Sequence, residues 1–529
     1  MKRKAYLLIV LHSHLPFVKH PEEEFFLEEN WLYEAITETY LPLYIVFNKL
    51  RGEGVKFRVT MSITPPLANM LSDELLNFRF ERYLQKRIAL SEKKYAEEKD
   101  PTKKKILEFY RSRFLLLKET FLKLNGNILS GFKKLQDLGF IEIITCSATH
   151  EILPLELHEE CRNAQIETGV SEYLRMFGKK PNGIWLGECA YTPGIDKILS
   201  DNGIEFTFLD SHGLLFADPS PVYGVHAPLV SENGVAFFAR DPEASKQVWS
   251  AAEGYPGDFN YREFYRDLGY DLSDREVKEF LHPGGFRFDS GIKMHKITGK
   301  VPLDKKELYD RKKAKEVAEI HAGNFMFNRE REAEYLLSVM DREPVIVAPF
   351  DTELFGHWWF EGPDFLEHLF RKIYRYSDLL EMATPTDYLK RYPVNQLSQP
   401  APSTWGDGGY FKVWLNEKND WIYPELYIMG KIMIELPEKF KSPSDIERRI
   451  LNQMARELML AQSSDWAFLI TMGTAVKYAT SAEKFHISAF YKLYEMLESK
   501  NFDETFLEYL ETKDSIFPKI DYKIYRRKR

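Results

Sequence analysis

Tyr6-Leu7-Leu8-Ile9-Val10-Leu11 is an unbroken apolar run that stops abruptly at His12-Ser13-His14. A strand covered on both faces has this composition, as in parallel sheets flanked by helices. The two histidines then stand at the strand's carboxyl end, where α/β barrels keep their active sites. The basic start Met1-Lys2-Arg3-Lys4 imitates a secretion signal, but the apolar run is very short and meets histidines instead of a small-residue cleavage site. It reads as strand one.

Other segments repeat the layout of apolar run followed by polar residues. Residues 55–63 close on Thr64-Pro65-Pro66, 141–145 deliver Cys146-Ser147-Ala148-Thr149-His150, and 183–186 deliver Gly187-Glu188-Cys189-Ala190-Tyr191. Residues 204–209 end in Asp210-Ser211-His212, and 344–350, the clearest buried strand, end in Asp351-Thr352-Glu353-Leu354-Phe355-Gly356-His357-Trp358-Trp359. Glu381-Met382-Ala383 before Thr384-Pro385-Thr386-Asp387-Tyr388 reads as the last strand and a helix cap. Helical stretches lie between these runs, so the fold class is α/β, a βα barrel or a doubly wound sheet.

Three regions depart from that alternation. Residues 67–139 are charged and helical, an insertion within a catalytic unit spanning 1–398. Residues 213–260 are rich in Gly, Pro and aromatics, which suits a long irregular segment covering the site. From 399 to 529 helices dominate, with Ser444-Asp445-Ile446-Glu447 matching a capping box, and this C-terminal domain is expected to contribute to the substrate groove.

Bulk properties narrow the function. Lys+Arg 72 against Asp+Glu 80 gives a net charge of −8, which disfavours nucleic acid or an anionic membrane as partner. Three cysteines without metal-finger spacing indicate neither a disulfide framework nor a structural zinc finger, and a cytoplasmic setting fits. Aromatic residues make up 14% of the chain, nine of them Trp. Several fall in Gly/Pro-rich segments where they could stack on sugar rings.

Acidic residues at two strand ends, Glu188 and Asp351, among indoles and histidines, suit glycosidic bond cleavage, which needs two carboxyl groups. His12, His14, His150 and Asp351 equally suit a metal-dependent hydrolase. A carbohydrate-binding protein without catalysis is the third class, less suited because binding does not require acids placed so deep.

The segments His12-Ser13-His14-Leu15-Pro16-Phe17, 146–150, 185–191, 351–358 and 384–388 resemble, in order, the five signature segments of glycoside hydrolase family 57. The likeness is closest to branching-enzyme-type members, sometimes labelled α-amylases, and extends through 247–250, 254–258, 261–267 and the Trp405 and Trp414 segments. It implies a distorted (β/α)7 TIM-like barrel, an α-1,4-glucan or maltooligosaccharide as substrate, no cofactor, and a retaining mechanism with Glu188 as nucleophile and Asp351 as general acid/base. The carboxyl groups would then lie roughly 5–5.5 Å apart, with their pKa values pushed apart. Under that resemblance His12, His14 and His150 donate hydrogen bonds to sugar or carboxylate, Trp249, Trp358, Trp405 and Trp414 wall the groove, and Asp407 shapes a Gly-rich turn. Branching members carry a tyrosine on a mobile loop over the site, expected here within 223–233. Ser147 and Glu151 stand where typical members are expected to have glycines, which leaves hydrolysis beside branching.

Overall fold

The computed structural model describes residues 3–250 and 253–527. Its strands are β1 (Ala5–Ser13), β2 (Val59–Ile63), β3 (Ile141–Cys146), β4 (Ile184–Trp185), β5 (Phe206–Leu209), β6 (Leu229–Val230), β7 (Ala236–Ala239), β8 (Val345–Asp351), β9 (Leu380–Met382) and β10 (Gln396–Leu397). Seven of them run parallel around a distorted barrel in the order β1-β2-β3-β4-β5-β7-β8, with β8 returning to β1. Two joints are thin. β4 meets β5 through the single bridge Gly183–Phe206, and β7 reaches β8 through the Asp241 N–H donating to the Val347 carbonyl at 2.8 Å.

The expected last strand forms, but not in the ring. β9 pairs with Ala5–Leu7 on the edge of β1 that pairs further along, at Val10 to Ser13, with β2. It therefore fills a gap at the barrel's amino end. The place in the ring belongs to β7, which forms where the sequence points to a strand at Val235, inside a segment otherwise read as irregular. Four residues are too short a run to show that this strand belongs to the barrel. Thr384 does cap the next helix in a capping box with Asp387.

Period-two alternation decides which side chains look into the barrel. In β1, Leu7, Ile9 and Leu11 pack outward with the surrounding helices, while Tyr6, Leu8 and Val10 fill the interior beside Trp185, Phe206, Phe208, Phe238, Val345 and Val347. Continuing the same parity, His12 and Asp351 are inward residues at the mouth, and they are register partners on adjacent strands.

Between β2 and β3 lie helices Pro65–Leu71, Glu74–Glu97, Pro101–Lys123 and Ile128–Asp137. A π-helical turn, Ile36–Tyr40, interrupts the first long helical stretch and brings Tyr40 toward the mouth. Beyond β10, helices Ile422–Lys439, Asp445–Ala461, Ser464–Met472, Val476–Ser499 and Glu504–Lys513 enclose a separate apolar core. Ser444 and Glu447 form the expected capping box. Among the described residues no helix is long and apolar enough to cross a membrane.

Candidate active site

The site is assembled from strand ends and from the C-terminal helices. Glu188 follows β4 by three residues, in a tight turn with φ 56° and ψ 29°. That turn crosses the loop after β3 so closely that a Cβ on Gly187 would lie 2.6 Å from the Glu151 carbonyl oxygen and 2.7 Å from that of His150. Only glycine fits there. The Glu188 carboxylate accepts a hydrogen bond from the Trp405 indole N–H at 2.6 Å, and its other oxygen lies 4.0 Å from His150 Nδ1. The Trp405 backbone N–H also donates to the Glu188 carbonyl, so the two residues are fixed at both ends.

Asp351 ends β8, and Glu353 follows it in a short 3₁₀ turn. Glu353 accepts hydrogen bonds from the Tyr40 hydroxyl and, at 3.3 Å, from the His14 backbone N–H. Burial raises the carboxyl of Asp351 to about 8, helped by the negative charge of Glu353. Burial likewise raises Glu188 to about 7, with the charge of Asp351 adding to it and the Trp405 hydrogen bond opposing it. Glu353 is also raised by burial to about 7. Glu188 and Asp351 therefore both hold their protons more tightly than a free carboxyl does. The separation is small because both groups climb: each sits in the same low-dielectric mouth, and among the described residues no Lys or Arg lies within ion-pair distance of either.

The three expected histidines converge. His12 Nε2 and His150 Nε2 are 3.0 Å apart, His12 Nδ1 meets Ser62 Oγ at 3.2 Å, and His150 Nδ1 meets Ser464 Oγ at 2.8 Å. His14 Nδ1 meets Thr64 Oγ1 and its Nε2 meets Asp465 Oδ2, both at 3.0 Å. The rings stack, His14 on His150 with centroids 3.9 Å apart and His12 on Trp185 at 4.8 Å. Burial, then neighbouring imidazoles, lowers the pKa of His12 and of His150 well below the usual histidine value, so both rings are neutral. All six ring nitrogens have protein partners, so the set His12, His14, His150 and Asp351 does not offer converging free donors to a metal.

The aromatic residues divide. Trp405 stands edge-on to Trp185 at 4.8 Å and to Trp249 at 6.3 Å, and Trp249 is 38% exposed. Trp358, 60% exposed, lies flat on Phe264 with centroids 5.2 Å apart and planes 3° from parallel. Trp414 is not a groove wall: it is 1% exposed in the C-terminal core, and a Cβ on Gly406 would lie 2.6 Å from its ring. It supports the Trp405 turn from below. Asp407 stands exposed in that turn.

The 223–233 loop does not cover the site. Tyr223 donates to Asp341, and the Arg342 guanidinium sits over its ring. Asp341 and Arg342 lead into the amino end of β8, roughly 20 Å of strand away from Asp351. The loop's other end is the turn before β7, where Asn233 donates to Asp196 at 2.6 Å. Sequence reasoning also missed Tyr40, Ser464 and Asp465 as site residues. None carries a local signal, because each meets its partner only through tertiary packing.

Comparison with known proteins bears on the whole chain. Residues 8–281 match the family description Glycosyl hydrolase family 57, and residues 425–525 match 1,4-alpha-glucan branching enzyme, C-terminal. The 1,4-alpha-glucan branching enzyme TK1436 of Thermococcus kodakarensis is 35% identical over 547 aligned residues, covering 97% of this chain and 77% of that protein. Among solved structures, the novel alpha-amylase AmyC from Thermotoga maritima superposes with a TM-score of 0.94 at 47% identity, over 99% of this chain and 100% of that one. The GH57-type branching enzyme from Pyrococcus horikoshii gives 0.89 at 32% identity, over 99% and 97%.

Proposed function

This chain belongs to glycoside hydrolase family 57, and from that membership we propose that it opens α-1,4 bonds of an α-glucan by a retaining double displacement, with Glu188 as nucleophile and Asp351 as acid and base. The observation that carries the reading is the convergence of these two carboxyls from β4 and β8 on one mouth, near enough for the charge of Asp351 to act on Glu188. A retaining glycosidase needs such a pair flanking one anomeric carbon.

In the first step Asp351 gives its proton to the glycosidic oxygen while Glu188 attacks the anomeric carbon from the opposite face, leaving a glycosyl ester on Glu188. The Trp405 N–H steadies the carboxylate before attack and stabilises it again as the leaving group of the second step. Asp351, now ionised, takes a proton from the incoming acceptor. The fully bonded stack of His12, His14 and His150 acts as a stiff brace under Glu188. Trp405, Trp249 and Trp358 offer ring faces to sugars.

Two acceptors compete for the ester. A glucan 6-hydroxyl makes an α-1,6 branch, water hydrolyses the chain, and relatives named for each outcome cover nearly the whole chain. We infer branching with hydrolysis beside it. The second reading, predominant hydrolysis, is favoured by one observation: Tyr223 lies at the far end of the barrel. Proton NMR of the products from amylose decides by counting 1,6 linkages against new reducing ends. Branching gives an excess of linkages, hydrolysis an excess of reducing ends, and intact amylose sinks both.

A further inference from the structure

Away from the mouth, the described residues hold two places where one histidine and two carboxylates bring a ligand atom each within 4.8 Å of one another. They are His226, Asp241 and Glu332 on the flank of the barrel, and Glu457, His486 and Asp514 inside the C-terminal domain. The first already contains a cation. The guanidinium of Arg329 bridges Asp241 and Glu332, each at 2.9 Å.

The second contains none. Glu457 is 0% exposed, Asp514 3% and His486 6%. Among the described residues the one ion-pair partner of Glu457 is His486, whose Nδ1 lies 2.8 Å from Oε2, and Asp514 has no Lys or Arg within ion-pair distance. The nearby cations are engaged elsewhere. Lys513 turns to Glu22, and Arg456 donates to the carbonyls of Ile516 and Phe517 and to Gln453 Oε1. Gln453 in turn donates to Glu457 Oε1 at 2.8 Å, which orients the carboxylate so that Oε2 faces His486. Asp514 Oδ2 is buried with no hydrogen-bond partner.

Two adjacent buried carboxyls require positive charge. A shared proton neutralises only one of them and leaves a net negative charge in an apolar core, which is costly. A divalent cation neutralises both. One imidazole with two carboxylates is a donor set for zinc and similar borderline ions, whereas calcium and magnesium take six or more oxygens.

We propose that Glu457, His486 and Asp514 bind one divalent cation of the zinc class, through one ring nitrogen and an oxygen from each carboxylate. Each carboxyl that ligates the ion gives up any proton it carries to solvent. The ion pins three elements together: helix Asp445–Ala461, helix Val476–Ser499 and the end of helix Glu504–Lys513. The first of these leads directly into Ser464 and Asp465, which hold His150 and His14. The role is structural and does not depend on the catalytic reading.

The test is metal retention by the full-length chain after chelation, exposure to zinc sulfate and gel filtration. Wild type and His226→Ala are expected to keep about one equivalent of zinc, while Asp514→Asn and His486→Gln, with wild-type circular dichroism, keep at least about tenfold less. Zinc, but not calcium, raises the melting midpoint of the stripped wild type. Retention below about a tenth of an equivalent by wild type, or equal retention by all four proteins, overturns the proposal and leaves the shared proton. Should the variants fail to fold, zinc X-ray absorption on wild type still decides. A shell of one imidazole with oxygens supports the site, and a shell of sulfur or several imidazoles overturns it.

Discussion

Glu188 holds a left-handed backbone at φ 56° and ψ 29°, a conformation that costs a non-glycine residue about 1 kcal/mol or more. The surrounding contacts enforce it, and they also set its charge. With Glu188 at about 7 and Asp351 at about 8, an ionised Glu188 and a protonated Asp351, as the proposed roles require, coexist only in a narrow window. kcat/KM therefore follows a bell, its acid limb belonging to Glu188 and its alkaline limb to Asp351. A profile flat from about pH 5 to about pH 9 contradicts this. Trp405→Phe removes the donor that holds the Glu188 pKa down, so the acid limb moves up by about one pH unit and kcat/KM falls about tenfold. The same shifts bear on stability. A carboxyl with a raised folded pKa favours the folded state below its unfolded pKa, and that contribution disappears as pH rises through the folded value. Glu188→Gln therefore raises the melting midpoint above about pH 8, by an effect of about 1–2 kcal/mol, and changes it little near about pH 4. An equal shift at both pH values refutes the linkage. Glu188, Asp351 and the three histidines were legible because each follows an apolar run. Trp414 misled, because a Trp in a Gly-rich segment looks like a platform until its ring is seen facing the core.

Strand ends carry the polar residues, but the close approach of two loops aims them. Gly187→Ala drives a methyl into the His150 and Glu151 carbonyls, which is expected to cost about 1–3 kcal/mol and, by displacing Glu188, to lower kcat about 10- to 100-fold. Thermal melting and initial rates check both parts, and wild-type values for both would show that the two loops are not coupled. At this scale β1, β3 and β8 were readable as long β-rich runs. β7 was readable only as a short strand at Val235, without its place in the ring, since its four residues are flanked by turn signals. The 223–233 loop was placed wrongly for a related reason: composition marks a loop as irregular but not which end of a barrel it serves. The π-helical turn ending at Tyr40 carries no sequence mark either, yet it supplies a donor to Glu353.

The whole molecule closes the site, because the C-terminal domain supplies Trp405, Ser464 and Asp465 to residues that begin the chain. Capping boxes and helical periodicity announced that domain, but its docking onto His14 and His150 follows from packing over 451 and 314 residues of separation. Asp465→Asn leaves the fold intact and weakens the hold on His14, so kcat/KM is expected to drop about 10-fold or more with little change in melting midpoint. An unchanged kcat/KM would mean that His14 needs no brace. The central claim, that Glu188 and Asp351 attack and protonate across one anomeric carbon, is tested most directly by azide rescue with an α-maltooligosyl fluoride. Glu188→Gly must yield the β-glycosyl azide, because azide replaces the missing nucleophile, and Asp351→Gly must yield the α-glycosyl azide, because azide intercepts the ester on Glu188. The same anomer from both variants, or rescue of neither, contradicts the assignment.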